Sequence, residues 1–293
     1  MHPATEGRAG PTSGSRASAW GAEGASRTRT WSRWGEAPLP NHSALALAKL
    51  TSMFTPQGPT FRELAVQALS SVEHGYDLLA PKFDHTPFRT PDPVLRSVAR
   101  ELERIGPFDS GLDLCCGTGA GIDVLRTVCR ERITGVDISA GMLAVARERT
   151  RAAGPPAAWV RGDARALPFG PAFDLVVSFG AFGHFLPREL PGLFAQVHSV
   201  LRPGGRFAFP VVAPPRPGSP GYWALLAFDT AMRVRNAVWR PPFVMYYRAF
   251  RLSDVRRELI RAGFVVDLHT LPEFGSRDDG SPRCRMVVAT HQG

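Results

Sequence analysis

Between residues 111 and 212, short apolar runs alternate with stretches whose apolar residues recur at spacings of three and four. This alternation constrains the chain most, because strands joined by helix-length connections pair in parallel and not as hairpins. Residues 111–115 read as a first strand, followed by a glycine-rich turn and a helix to about Arg130. Residues 132–137 form a second strand, and Ser139 caps a helix that stops at Gly154-Pro155-Pro156. A third strand is expected over 157–161 and a fourth over 173–179, the latter nearly all apolar, as a central parallel strand should be. Leu190, Leu193, Phe194, Val197, Val200 and Leu201 mark one helical stripe, which Pro203-Gly204-Gly205 should end before a fifth strand over 206–212. A helix over 253–262 and strands near 264–269 and 284–290 close the chain. The expected fold class is an open α/β, mostly parallel sheet, which binds ligands at the carboxyl ends of its strands where the order reverses.

The start of the chain is different. Residues 1–52 contain no Ile, Val or Phe and are dominated by Gly, Ser, Ala and Pro. Such a stretch buries too little apolar surface to offset the entropy of ordering, so a disordered N-terminal extension is expected, with Met53 as a natural start. Over 53–107 the pattern is helical. Leu64, Ala65, Ala68, Leu69 and Val72 predict one buried helix face, and a second helix should run from Pro93 to about Ile105. The domain proper is expected over 108–293, with an insert at 213–252. The insert's apolar residues are not confined to one stripe, which predicts cover on more than one side.

The formal net charge is +9, but all basic residues except Lys49 and Lys82 are arginines, a bias closer to codon composition than to a phosphate-binding surface. The clearest local excess, eight arginines between Arg233 and Arg261, leaves open a patch for anionic partners. No apolar run approaches the ~18 residues a membrane-spanning helix needs. The four cysteines form neither a C-x-x-C pair nor a zinc spacing, so no metal site and a reducing, cytoplasmic setting are expected. Cys115 and Cys116, as strand neighbours, should point to opposite faces.

Chemistry gathers at three strand ends. After the first come Asp113 and Gly117-Thr118-Gly119-Ala120-Gly121, where missing Cβ atoms let the backbone turn tightly and approach a ligand. The helix that follows offers its first amides to a negative group. Asp137 ends the second strand twenty residues after Gly117, where a carboxylate can accept from both hydroxyls of a ribose. Asp163 after the third is placed to accept from an exocyclic amine such as that of adenine. A dinucleotide fingerprint would need glycine at Ile122, and a phosphate-loop motif is absent. The ligand is therefore a nucleoside without phosphates.

Leu112-Asp113-Leu114-Cys115-Cys116-Gly117-Thr118-Gly119 resembles the first motif of class I S-adenosylmethionine-dependent methyltransferases, in the variant of the ubiquinone/menaquinone C-methyltransferase branch. Gly135-Val136-Asp137-Ile138-Ser139 with Met142-Leu143 is similar to the second, and Gly162-Asp163-Ala164 with Leu167-Pro168-Phe169 to the third. Phe173-Asp174-Leu175-Val176-Val177-Ser178 and Leu201-Arg202-Pro203-Gly204-Gly205 complete the series. Upstream, Tyr76-Asp77 and Phe83-Asp84 resemble the family's repeated Tyr-Asp lid motif. The resemblance implies a Rossmann-like sheet with helices on both faces, an antiparallel C-terminal strand, a helical N-terminal lid over 53–107, and S-adenosylmethionine as cofactor. It places Asp113 and the backbone of Gly117, Thr118 and Gly119 against the methionine part and Asp137 on the ribose. Ile138 and Met142 would lie against adenine, Asp163 and Ala164 at its amino edge, and Tyr76 and Ser178 belong to matched motifs. Where other members have the first-motif glycine this chain has Cys115.

Methyl transfer is an in-line displacement that needs mainly positioning, and a base only if the acceptor must lose a proton. His184, in the loop after the fourth strand, is the candidate for that base, with a loop-fixing backbone hydrogen bond as its alternative role. The expected activity is methylation of a small, apolar or aromatic molecule, with Tyr222 and Trp223 of the insert lining an apolar acceptor site. A catalytically silent cofactor-binding module and an RNA methyltransferase guided by the arginine patch are the alternatives. The fourth strand lacks the Asp/Asn-Pro-Pro-Tyr signature of amino-directed nucleic-acid methylases, which disfavours a nucleic-acid partner.

Overall fold

The computed structural model describes residues 57–150, 156–246 and 250–293. The proposed extension over 1–52 and the Met53 start lie outside the described residues. Two helices come first, α1 (Phe61–Leu69) and α2 (Val72–Leu79), then a 3-10 turn (Ala80–His85) and helix α3 (Asp92–Ile105). Thr60 starts α1 through a reciprocal capping box: its hydroxyl accepts from Glu63 N, and its own N–H donates to Glu63 Oε2 at 2.6 Å. Ser71 Oγ accepts from His74 N and starts α2.

The sheet follows with β1 (Phe108–Leu114), α4 (Ala120–Val128), β2 (Cys129–Asp137), α5 (Ala140–Thr150), β3 (Ala158–Arg161) and β4 (Phe173–Val177). It continues with α6 (Leu190–Val200), β5 (Leu201–Val212), α7 (Pro220–Val238), α8 (Leu252–Arg261), β6 (Phe264–Thr270) and β7 (Cys284–His291). Seven strands lie in the order β3-β2-β1-β4-β5-β7-β6, all parallel except β7, which is antiparallel to both its neighbours. This is the Rossmann-like arrangement the motifs implied. The chain winds outward from β1 in both directions, so the order reverses between β1 and β4 and a crevice opens at their carboxyl ends.

Each face of the sheet carries its own core. On one face Leu193, Phe194 and Val197 of α6 and Val255 and Leu259 of α8 pack on Phe207 and Phe209 of β5. On the other, Val94, Leu95, Val98 and Leu102 of α3 join Ile122 and Leu125 of α4 over Leu175 and Val288. Within the expected lid region, α3 is therefore a core helix beneath the sheet. Only α1, α2 and the 3-10 turn remain candidates for a lid.

Several local expectations are corrected. Leu64 and Ala68 of α1 are only half-buried and Ala65 and Leu69 are exposed, while Gln67 is the buried residue. Pro203-Gly204-Gly205 does not precede a later strand: β5 starts directly at Leu201, and the extra residues form an irregularity in its pairing with β4, with Gly204 at φ +78°. Cys115 and Cys116 are not strand neighbours, because β1 ends at Leu114 and Cys115 turns the chain at φ +56°. The left-handed region disfavours a Cβ, so a non-glycine residue here stores backbone strain of ~1–2 kcal/mol. The insert contains a 19-residue helix, α7, opened by Ser219, whose hydroxyl accepts from Tyr222 N. It is covered on one side only.

Candidate active site

The glycine turn and the end of β2 are tied into one unit by a single side chain. Asp137 Oδ2 accepts from Gly117 N at 2.8 Å, and Oδ1 accepts from Ser139 N at 2.9 Å. Gly117 and Gly119 both have positive φ, and Gly119 N closes the turn onto Cys116 O. A Cβ on Gly117 would meet nothing nearer than Phe83 Cε1 at 4.0 Å, so this backbone presents an open surface to a ligand. Asp113 is buried behind the turn, where its carboxylate lies so close to Gly121 that a Cβ there would come within 2.6 Å of Asp113 Cγ. Its Oδ2 is buried without a hydrogen-bond partner. Burial, and then the neighbouring charge of Asp137, push the Asp113 carboxyl well above the usual carboxylate range. Burial likewise raises Asp137, against the lowering effect of its two N–H donors.

The remaining predicted residues surround this unit. Thr118 is buried, and its hydroxyl donates to Asp84 Oδ1 at 2.6 Å. Ser139 Oγ accepts from Met142 N, which opens α5 as the sequence indicated. Ile138 is half-buried, whereas Met142 is fully buried beneath the first turn of α5. Asp163 Oδ1 already accepts from the backbone and the guanidinium of Arg165, and Ala164 is part of the core. Ser178 Oγ donates to Leu114 O at 2.9 Å and so joins the ends of β1 and β4 across the crevice.

An aromatic group covers the turn. Tyr76 packs edge-on against Phe83 and His184 and stacks with Phe243. His184 Nδ1 lies 2.7 Å from Val244 O, which can only accept, so Nδ1 carries the proton and Nε2 accepts from Tyr76 Oη at 2.8 Å. Burial holds the imidazole below its ordinary pKa, hence neutral. From the insert, Met232, Phe243, Met245 and Tyr246 make a third apolar cluster against which Tyr76, Phe88 and Phe228 pack. Of the two insert residues singled out in the sequence, Tyr222 is half-buried and Trp223 faces outward, 58% exposed.

Two groups escaped sequence reasoning as working residues. Asp77 Oδ1 accepts from Ser139 Oγ at 2.6 Å and from Gly141 N at 2.8 Å, capping α5 from another element. Asp84 holds Thr118 in the glycine turn. The Tyr-Asp pattern was the signal for both: each acid fastens α2 or the 3-10 turn to one of the two loops that form the crevice.

Residues 112–205 match the model of a methyltransferase domain family. An uncharacterized methyltransferase of Synechocystis is 34% identical over 63% of this chain and 80% of its own length. A demethylmenaquinone methyltransferase of Symbiobacterium thermophilum is 37% identical over 58% of this chain and 74% of its own length. The chain belongs to the S-adenosylmethionine-dependent methyltransferases. A 2-phytyl-1,4-naphtoquinone methyltransferase of Thermosynechococcus vestitus is 36% identical over a shorter span, 34% of this chain and 44% of its own length. An S-adenosylmethionine-dependent methyltransferase of Clostridium acetobutylicum has the same fold, with a TM-score of 0.51 at 16% identity over 70% of this chain and 93% of its own. This methyltransferase draws its methyl group from S-adenosylmethionine, and its residues suit that donor. A Cβ-free approach at Gly117 and the acceptor Asp137 lie at one strand-end crevice, with the orphaned Oδ2 of Asp113 buried directly behind the turn.

No group of His, Cys, Asp and Glu among the described residues could hold a metal ion, and no described helix is long and apolar enough to cross a membrane. Part of the arginine excess between 233 and 261 is engaged within the chain, and Arg233 lies over the Tyr246 ring. Arg257 pairs with Asp254 and Glu258, Arg261 with Glu258, and Arg235 donates to Ser70 O and Pro241 O.

Proposed function

We propose that this enzyme methylates a small aromatic, quinone-like molecule, held against the apolar cluster between the glycine turn and the insert. The observation that carries the proposal is the aromatic group of Tyr76, Phe83 and Phe243, whose Phe83 approaches Gly117, with the Tyr76–His184 pair at its polar edge. Two of the relatives bear the names of naphthoquinone and menaquinone methyltransferases, which supports the same class. The domain over 108–293 holds the cofactor, α1 and α2 with the 3-10 turn serve as lid and bring Tyr76 to His184, and the four free cysteines suit a reducing compartment.

The sulfonium of the donor supplies an electrophilic methyl group. Asp137 would hold the ribose hydroxyls, Asp113 and the backbone of Gly117, Thr118 and Gly119 the methionine part, and Ile138 the adenine face. Met142 and Ala164 act from below as packing, and Asp163 reaches the adenine edge while held by Arg165. Ser178 sets the width of the crevice by bridging two strand ends. Tyr76 donates to His184 Nε2, and its phenol oxygen would be the group that meets a proton-bearing group of the acceptor. As that group's proton is drawn toward the phenol oxygen, the phenol proton can shift to His184 Nε2. Acceptor contact passes from Trp223, which faces away, to Tyr76, Phe228 and Phe243.

The test is release of S-adenosylhomocysteine from a panel of reduced naphthoquinones, phenols and catechols, with RNA included. Turnover confined to the aromatic hydroxyl compounds is expected. Turnover of RNA alone, or of none of them, would overturn the proposal.

A further inference from the structure

The insert helix α7 has two faces of opposite fate. Phe228, Asp229, Met232 and Asn236 point inward and are buried or half-buried. Residues 223, 227, 230, 234 and 238, at spacings of four, three, four and four, fall on the opposite side, and all are exposed. That outer face is largely apolar, with Thr230 its only polar residue in the stripe: Trp223 is 58% exposed, Val234 58%, Val238 78% and the adjoining Trp239 50%. It carries no acidic residue, since Asp229 belongs to the inner face. At about 1.5 Å per residue, the stripe from Trp223 to Val238 is ~22 Å long.

The patch continues onto α1. Trp239 Nε1 donates to Leu69 O at 3.1 Å and Arg235 to Ser70 O, so the two helix ends are fastened together. The neighbouring Val66 and Leu69 of α1, and Phe61 at its start, are also exposed. Single exposed apolar residues need no explanation, but a contiguous array of this kind marks a surface that meets something.

Charge identifies what it meets. Arg62 and Arg240 are exposed around the apolar face, Arg233 is exposed with its guanidinium over the Tyr246 ring, and the exposed acid of α1, Glu63, is paired with Lys82. A second copy placed face to face would bring like arginine sets together. An anionic bilayer surface instead accepts all three chemistries at once: arginines at phosphate level, tryptophan rings at the headgroup boundary and valines just below it.

We propose that the outer face of α7, with the exposed side of α1, seats this methyltransferase on an anionic lipid surface without spanning it. The inner face of the same helix packs on the aromatic cluster proposed above to meet the acceptor, so a lipid-borne aromatic acceptor would reach it from the bilayer side. This extends the acceptor reading, but the assay below contains no acceptor, so its failure leaves that reading standing.

The experiment is flotation of the full chain with vesicles of phosphatidylcholine alone and of phosphatidylcholine with phosphatidylglycerol, each at low and high salt. The wild type should float with the anionic vesicles and be largely released by high salt, where the screening length falls to ~3 Å at 1 M. V234E/V238E should lower vesicle binding at least about tenfold, because it places charge in the apolar contact. R62E/R240E should abolish the preference for anionic lipid. Both pairs lie outside the core, so their calorimetric affinity for S-adenosylhomocysteine should equal that of the wild type. Absence of wild-type binding to either vesicle overturns the proposal, as does unchanged binding by both variants. A dimer seen by light scattering and dissolved by V234E/V238E would give the face to a second copy and overturn it too.

Discussion

Replacing Asp137 with alanine tests the site more sharply than any other single change, because the structure gives this carboxylate two separable duties. Its oxygens accept from Gly117 N and Ser139 N at 2.8 and 2.9 Å, which holds the glycine turn against the end of β2 before any cofactor arrives. Hydrogen bonds to a charged group contribute ~1.5–3 kcal/mol each. Part of that loss is offset, since burial raises the carboxyl's pKa and its removal relieves that cost. A net destabilisation of ~2–4 kcal/mol is expected, which for a domain of this size lowers Tm by ~5–15 °C. The second duty, holding the ribose, should weaken S-adenosylhomocysteine binding by a further ~2 kcal/mol, or about thirtyfold. Scanning calorimetry reads the first effect, and isothermal titration at a temperature where the variant is folded reads the second. Proton release should accompany wild-type binding: ribose hydroxyls favour the ionised form, so affinity rises with pH through the raised pKa and levels off above it. An unchanged Tm would refute the fastening of the turn. A lowered Tm with affinity within twofold of wild type would refute the ribose assignment.

Gly121→Ala, which by helix propensity alone would stabilise α4, should instead cost ~2–3 kcal/mol by driving a Cβ into the Asp113 carboxylate; a raised Tm would count against this packing. Asp113→Asn should change how stability depends on pH. The folded carboxyl lies above its unfolded value, so wild-type stability is retained below about pH 4 and lost as pH rises through the folded pKa, whereas the asparagine variant lacks this slope in denaturant titrations. Tyr76→Phe and His184→Gln should each lower kcat by ~10–100-fold, while cofactor affinity measured by titration changes little, as expected if the pair handles the acceptor's proton. Because burial lowers the His184 pKa, the acid limb of wild-type kcat should lie below the ordinary histidine value of about 6.5; a limb above it would remove His184 from that role.

The order of strands and helices, the crevice and the acids at its rim were legible in the sequence because each depends on local chemistry. The stripe from Leu190 to Val200 specifies one buried helix face, and it is buried as read. Gly117, Gly119 and Asp137 stand out because a tight turn and a strand-end acceptor require those residue types. Where local pattern has two meanings, the sequence was silent or misleading. Pro203-Gly204-Gly205 serves as a pairing irregularity within β5, since parallel pairing with β4 extends back to Leu201. Leu64, Ala65, Ala68 and Leu69 have the spacing of a buried face, yet α1 lies at the edge of the fold and turns Gln67 inward. Trp223 and Phe228 are both large and apolar and belong to one helix, and only the packing of Met232 with Phe243 decides which side of α7 faces inward. Tyr76 meets His184 across 108 residues, and Asp77 and Asp84 meet the crevice loops across 62 and 34. Partnerships of that separation depend on how the helices settle on the sheet, and periodicity carries no information about it. The sequence alone therefore determined the scaffold, the glycine turn and the acids at the strand ends. The Tyr76–His184 aromatic group, the fastening of α2 and the 3-10 turn to the crevice loops and the exposed apolar face were decided by tertiary packing, because they join segments that are neighbours only in the folded chain.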